Sequence, residues 1–210
     1  MLREIRNNYQ KHKLEEAKLP EDPIALFDYW LKEAIKEKVQ EPTAMVVATA
    51  ADGIPDARIV LLKEISDGNF HFYTNYHSTK GRQLATNPHV ALNFFWPELE
   101  RQVRVKGTTS KVNDALSEEY FNTRPRESQL GAWASAQSET LTNRQQLEQK
   151  YEELEKHYEG EVIPKPAHWG GYQVEPFEIE FWQGRPGRLH DRIQYQKNAQ
   201  GQWTFRRLSP

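Results

Sequence analysis

The chain contains no cysteine among its 210 residues. That absence removes disulfides, thiolate nucleophiles, iron–sulfur clusters and cysteine-type zinc sites together, and it fits a reducing compartment, the cytoplasm being the simplest. Long apolar runs are missing too. Stretches such as Ala44–Val47 fall far below the roughly 18 to 20 residues that span a bilayer, so no membrane association is expected. The opening MLREIRNNYQKHKLEE lacks an apolar h-region and a small-residue cleavage site, which argues against a secretory signal. Neither sign of charge dominates: 28 Lys and Arg against 30 Asp and Glu leave a net charge of −2, so the chain as a whole has no electrostatic footprint for nucleic acid. Any basic site must be local. Also absent are G-x-G-x-x-G, G-x-x-x-x-G-K-[ST] and H-E-x-x-H, which sets aside the usual Rossmann, P-loop and metalloprotease cradles. The 7 histidines are dispersed and no metal site is expected.

What is present suits one compact domain. The 6 Trp, 9 Tyr and 9 Phe supply large surfaces for burial. Residues 1–20 are polar, with Leu2, Ile5 and Tyr9 at a weak helical spacing, and are expected to form a mobile arm ahead of a domain spanning 21–210. Asp22 and Pro23 signal a helix start, and Leu26, Phe27, Trp30, Leu31, Ala34 and Ile35 recur at helical spacing. From Thr43 the pattern changes to TAMVVATA, ARIVLLKEI and FHFYTN, three strands joined by turns at ADGIP and SDGN. Ser78 is positioned to cap a short helix ending near Asn87-Pro88, and HVALNFFW and RQVRVKGTTSKV follow as strands. Asn113 opens another helix, Arg124-Pro125 stops it, and Gln129 to Ala134 is expected to add a short turn. The polar stretch TNRQQLEQKYEELEKHYEG predicts a surface helix, and Pro164, Pro166 and Gly170-Gly171 predict a break. YQVEPFEIEFWQ, RLHDRIQYQK and QWTFRRL end the chain as strands. The sum is a mainly antiparallel β-barrel or curled sheet with helices around it.

The chemistry-bearing residues are basic. Residues 182–210 carry Arg185, Arg188, Arg192, Lys197, Arg206 and Arg207 against a single acid, Asp191. An extended RLHDR would put Arg188, His190 and Arg192 on one face as an anion cradle; a solvated edge strand is the plainer alternative. His190 and Asp191 are adjacent and point apart, so they make no triad. Arg58 and Lys63 bracket four aliphatic residues, and strict alternation puts them on opposite faces unless the strand bends. Lys80 follows Ser78-Thr79 at a helix start, where free N–H groups favour a phosphate, with simple capping as the alternative. A thiol-free, metal-free site rich in Arg, Lys and aromatics suggests an organic cofactor with a phosphate and a flat ring.

These residues lie in strings that resemble the pyridoxine (pyridoxamine) 5′-phosphate oxidase family: PTAMVVAT, RIVLLK, FYTN, LERQVRV, YFNTRPRESQLGAW, WGG and IEFWQGRPGRLHDR, in order from about Leu19 to Pro210. The resemblance implies a homodimeric split β-barrel with flavin mononucleotide (FMN) at the subunit interface. The implied activity is oxidation of pyridoxine 5′-phosphate or pyridoxamine 5′-phosphate to pyridoxal 5′-phosphate, with O2 reduced to H2O2. It further implies that Arg58, Ile59, Val60, Leu61, Leu62 and Lys63 line the flavin, followed by Tyr73 and Thr74, with Thr79 and Lys80 at its phosphate. Gln102, Gln137, Ser138, Trp182 and Arg192 match the remaining flavin contacts. Lys63, Tyr120, Arg124 and Ser128 match the substrate-phosphate grip, Arg188 and His190 the catalytic positions over the pyridine ring, and Arg6 and Tyr9 arm contacts. Two departures stand out. Many members have Ser-Arg-Lys where this chain has Ser78-Thr79-Lys80, one guanidinium fewer at the flavin phosphate, and the segment before Leu19 is EEAK where a familiar member is strongly basic. The alternatives from other classes are a split-barrel flavin reductase using a nicotinamide donor and a non-catalytic binder of FMN or pyridoxal phosphate.

Overall fold

A computed structural model describes residues 2–4 and 8–210; Arg6 lies outside the described residues. Helix α1 (Pro23–Lys36) begins where expected, with the Asp22 carboxylate accepting from the Ile24 N–H. Its apolar face carries Phe27 and Trp30 into the main core, where Phe27 lies 4.8 Å from Phe94 and 5.0 Å from Phe70, and Trp30 lies 5.2 Å from Phe181. These edge-on aromatic contacts anchor the helix to the sheet.

The nine strands found among the described residues form one antiparallel sheet: β1 (Ala44–Ala51), β2 (Ile54–Leu61), β3 (Glu64–Ser66), β4 (Asn69–Asn75), β5 (His89–Trp96), β6 (Arg101–Lys111), β7 (Trp169–Gln183), β8 (Asp191–Lys197) and β9 (Trp203–Leu208). The order is β2-β1-β5-β6-β7-β4-β3, with β8 and then β9 added to the far half of β7. The β1–β2 and β3–β4 hairpins turn at Asp52-Gly53 and Asp67-Gly68, each pair at φ of 51° and 76°, the double positive φ that a two-residue hairpin turn needs.

Three expectations are corrected. ARIVLLKEI is not one strand: it bends at Leu62-Lys63, where the Leu62 N–H still donates to Thr43 on the β1 side and the Lys63 N–H already donates to His71 of β4. The two ends of the sheet are thus consecutive in the chain, and β2 keeps a free edge, leaving a split barrel rather than a closed one. Gly170-Gly171 does not break the chain but lies inside β7. A Cβ on Gly170 would stand 2.2 Å from the Tyr76 hydroxyl and one on Gly171 2.8 Å from Tyr73, so these glycines mark close packing. RLHDR is not extended throughout. Pro186–Arg188 forms a 3-10 turn with Gly187 and Arg188 both at φ 64°, and the strand starts only at Asp191, so Arg188 and Arg192 do not share a strand face.

Helices α2 (Thr79–Thr86), α3 (Asp114–Thr123), α4 (Arg126–Ala134) and α5 (Arg144–His157) surround the sheet, α4 starting three residues earlier than its sequence suggests. A second apolar cluster of Phe121, Leu130, Ile163 and Trp169 packs α3, α4 and α5 beside β4 and β7. Ahead of α1, Leu14 is buried, the Gln10 and Lys11 N–H groups donate to Glu100, and Arg207 of β9 pairs with Glu16. No helix is long and apolar enough to cross a membrane, among the described residues.

Candidate functional site

The free edge of β2 and the strand β4 form the two walls of a cleft of about 700 Å3. Ile59, Val60 and Leu61 line it from β2, Tyr73 and Thr74 from β4, and Lys63 from the bend between the two ends of the sheet. That bend resolves the geometry of Arg58 and Lys63, which alternation alone would have turned apart. Helices α3 and α4 close the far side with Tyr120, Arg124 and Ser128.

Two cations of the cleft that are withdrawn from solvent have no carboxylate partner among the described residues. Lys80, in the first turn of α2, is only 8% exposed, yet its ammonium donates to neutral oxygens alone: Thr74 Oγ1 at 3.0 Å, Gln137 Oε1 at 3.0 Å and Ser78 Oγ at 3.4 Å. Burial lowers its pKa, neighbouring Arg58 lowers it further, and Asp56 opposes them. Arg124 has a buried Nη1 with no hydrogen-bond partner, and its guanidinium lies over the Trp169 ring at 4.7 Å. Its pKa is also lowered by burial, with Tyr120 opposing. Lys80 is met by Thr74, Ser78 and Gln137, whereas Arg124 lies over the rings of Phe121 and Trp169, so the two cations have different neighbours and form two centres. A buried charge without a counter-ion is costly unless something else supplies it. Between the centres stands a flat aromatic wall: Tyr73 stacks on Tyr120 at 4.0 Å and on Trp169 at 5.5 Å, with interplanar angles of 23° and 13°.

The sequence-derived residues do not all meet here. Leu62 is buried in the main core behind the cleft. Thr79 and Ser138 touch each other at the start of α2, the Thr79 N–H donating to Ser138 Oγ at 3.2 Å. Arg58 lies beside Lys80 but its guanidinium is engaged by Asp56, by Thr49 Oγ1 at 2.6 Å and by Gln83 Oε1 at 3.2 Å.

A second group sits on the outer face of the sheet. The register lines up Gln102, Trp182 and Arg192 across β6, β7 and β8. His190 packs on Trp182 at 4.6 Å and Tyr9 edges onto both rings at 5.7 and 5.8 Å. The His190 Nδ1 accepts from the Arg185 N–H at 3.1 Å, while burial and then Arg188 lower its pKa, so the imidazole is neutral with its proton on Nε2. Arg192 is held by both oxygens of Glu180, at 2.8 and 3.1 Å, and Arg188 is exposed on its turn. None of Tyr9, Gln102, Trp182, Arg188, His190 and Arg192 lines the cleft.

Some site residues escaped the sequence reading. Asn75, Thr123, Pro125, Ser135 and Trp169 line the cleft as well. Trp169 and Asn75 stand in the strings WGG and FYTN, so their motifs were visible while their place in the wall was not.

Comparison with known proteins bears on the same residues. A family model described as pyridoxamine 5′-phosphate oxidase matches residues 31–158, and one described as the pyridoxine 5′-phosphate oxidase C-terminal dimerisation region matches 169–210. The chain is 52% identical over 210 residues to the pyridoxine/pyridoxamine 5′-phosphate oxidase of Neisseria gonorrhoeae, covering 100% of this chain and 99% of that protein. It is 50% identical over 212 residues to the protein of that name from Salinibacter ruber, with the same coverages. Among solved structures, PhzG from Burkholderia lata, in complex with tetrahydrophenazine-1-carboxylic acid, matches with a TM-score of 0.88 at 30% identity, over 94% of this chain and 98% of that one. Full-length identity at this level, joined to family models that between them take in the cleft walls and the outer-face row, shows that the chain belongs to the pyridoxamine 5′-phosphate oxidase family.

Proposed function

We propose that this protein is an FMN-dependent oxidase that converts pyridoxine 5′-phosphate and pyridoxamine 5′-phosphate to pyridoxal 5′-phosphate, reducing O2 to H2O2, and that it works as a homodimer. The observation that carries the reading is the cleft itself. It holds two separate cationic centres without counter-ions, joined by an aromatic wall, and FMN and substrate each bring one phosphate monoester and one flat ring. Its volume of about 700 Å3 lies within the range of about 300 to 1,000 Å3 usual for small-molecule sites.

The residues present fit the cofactor. Lys80, with Thr74 and Gln137 around its ammonium, would hold the flavin phosphate, and the free edge of β2 at Ile59–Leu61 offers unpaired backbone groups to a flavin ring. Bound FMN supplies the acceptor for the hydride that leaves substrate C4′, and O2 then takes up the electrons. Lys63, Tyr120, Arg124 and Ser128 would hold the substrate phosphate, Arg124 through donors that are already desolvated. Arg188 and His190 sit outside the cleft and would reach it from a second copy. Phe95, paired with Gln102 of the outer-face row, is 53% exposed, an apolar surface that a partner would cover, and the dimerisation-region match over residues 169–210 takes in Trp182, Arg188, His190 and Arg192. Arg188 would then orient the substrate over the ring, and the neutral His190 would donate from Nε2, a task of positioning that needs no nucleophile.

The test is the visible spectrum of FMN-loaded protein under anaerobic conditions, before and after pyridoxine 5′-phosphate and then air. Bleaching by the substrate with recovery in air supports the oxidase. Bound flavin that does not bleach leaves a binding protein, and bleaching only by a nicotinamide donor makes it a reductase.

A further inference from the structure

Arg58 is the cation nearest in effect to Lys80, yet it differs from Lys80 in having a carboxylate of its own. Asp56 and Arg58 are two residues apart on the edge strand β2, so their side chains share a face, and the Asp56 carboxylate pairs with the Arg58 guanidinium. The side chain is largely buried; Nη1 donates to Thr49 Oγ1 at 2.6 Å and to the Val47 carbonyl at 3.3 Å, Nη2 donates to Gln83 Oε1 at 3.2 Å as well as to Asp56, and Gln83 Nε2 reaches Asp56 at 3.4 Å. Both terminal nitrogens are therefore engaged. Thr79, where a second guanidinium could stand beside Lys80, is neutral and spends its N–H on Ser138.

We propose that Asp56 is a built-in competitor for the cofactor phosphate: it occupies the Arg58 guanidinium beside the Lys80 centre, and FMN gains Arg58 only by displacing this carboxylate. Asp56 acts through Arg58 and so tunes cofactor affinity without touching the reacting atoms. A phosphate monoester and a carboxylate compete for one guanidinium fork because both offer two oxygens in the geometry it matches. The half-exposed side chain of Asp56 leaves it free to swing into solvent when a dianion arrives, which makes the contact reversible.

The inference rests on the cleft being the FMN site, and the experiment separates the two. FMN is titrated into apoprotein and followed by quenching of flavin fluorescence, for the wild type and for Asp56→Asn, Arg58→Ala, the double variant and Lys80→Ala. Asp56→Asn is expected to tighten FMN by about three- to tenfold at low ionic strength, with the gain shrinking as salt rises. In the Arg58→Ala background the same change is expected to gain almost nothing. Unchanged or weaker binding by Asp56→Asn overturns the inference, as does an equal gain with and without Arg58, which would reduce Asp56 to simple repulsion of the phosphate. If FMN does not quench on the wild type, or Lys80→Ala binds it equally well, it is the assignment of the cleft that fails.

Discussion

The cleft and the outer face of the sheet are both rich in basic residues, and they treat charge in opposite ways. On the outer face Arg192 lies on Glu180, Arg104 shares that same carboxylate, and Lys106 pairs with Glu178 at 2.8 Å. In the cleft Lys80 donates to neutral oxygens alone and Arg124 Nη1 has no hydrogen-bond partner. Sequence composition cannot tell these regions apart, because an arginine with a carboxylate and one without look alike in a string. Geometry separates them: a satisfied cation builds the protein, and an unsatisfied buried one waits for a ligand. Arg58 lies between the two types, which is why a single neighbouring acid can bear on cofactor affinity.

The contrast can be broken from the largest effect downward. Arg188→Ala is expected to lower turnover by about a hundredfold or more while FMN stays bound, as steady-state oxygen uptake beside the flavin spectrum would show. Retained turnover would remove Arg188 from the reaction. Arg124→Ala should raise KM for pyridoxine 5′-phosphate by about 10- to 100-fold, the range for losing charge-assisted bonds, with FMN affinity unmoved. If FMN affinity falls instead, the two cations are not separate centres. Mixing Lys80→Ala with Arg188→Ala protomers should recover about a quarter of wild-type activity, since random pairing makes half the dimers mixed and each mixed dimer has one intact site. No recovery would mean that one chain supplies both halves.

The smallest effect concerns acidity. His71 is buried with neither ring nitrogen hydrogen-bonded, Nδ1 lying 3.7 Å from the Glu64 carboxylate, and burial lowers its pKa from 6.5 against the weaker pull of Glu64 and Asp67. The unfolded chain then binds a proton that the folded chain resists, so stability is lost as pH falls from about 6.5 toward the folded pKa, by up to about 1.4 kcal/mol for each pH unit crossed. Denaturant melts at about pH 7.5 and about pH 5.5 should show that loss in the wild type and a smaller one in His71→Val. Equal losses would assign the pH dependence to other groups, His190 first.

The elements legible in the sequence are those with local signals. Asp22, Ser78 and Asn113 cap their helices as their side chains predict, and both Asp-Gly pairs make the turns their φ preferences require. The bend at Leu62-Lys63 had no such signal, because both residues are at home in a strand and the cause is tertiary: the two residues hydrogen-bond to different neighbours. Gly170-Gly171 gave a signal that pointed the wrong way, since a glycine demanded by close packing looks like a glycine demanded by a turn. In the tail, period-two alternation over RLHDR requires an extended chain from Arg188 onward, and the 3-10 turn with its positive φ at Arg188 cancels it. The site was visible as residue types in motifs; its division between a cleft and a distant face was not, because that depends on which strands neighbour one another.

The bend that joins the two ends of the sheet also sets an order of assembly. The walls at Ile59–Leu61 and Tyr73–Thr74 belong to neighbouring hairpins and can meet by closing one short loop, with little chain entropy lost. The opposite side hangs on Trp169, which joins β4 only when Asn75 and Trp169 pair across most of the intervening chain. During folding the wall built by the two hairpins is therefore expected to form before the side that hangs on Trp169, which can close only once a long stretch of chain has been brought together.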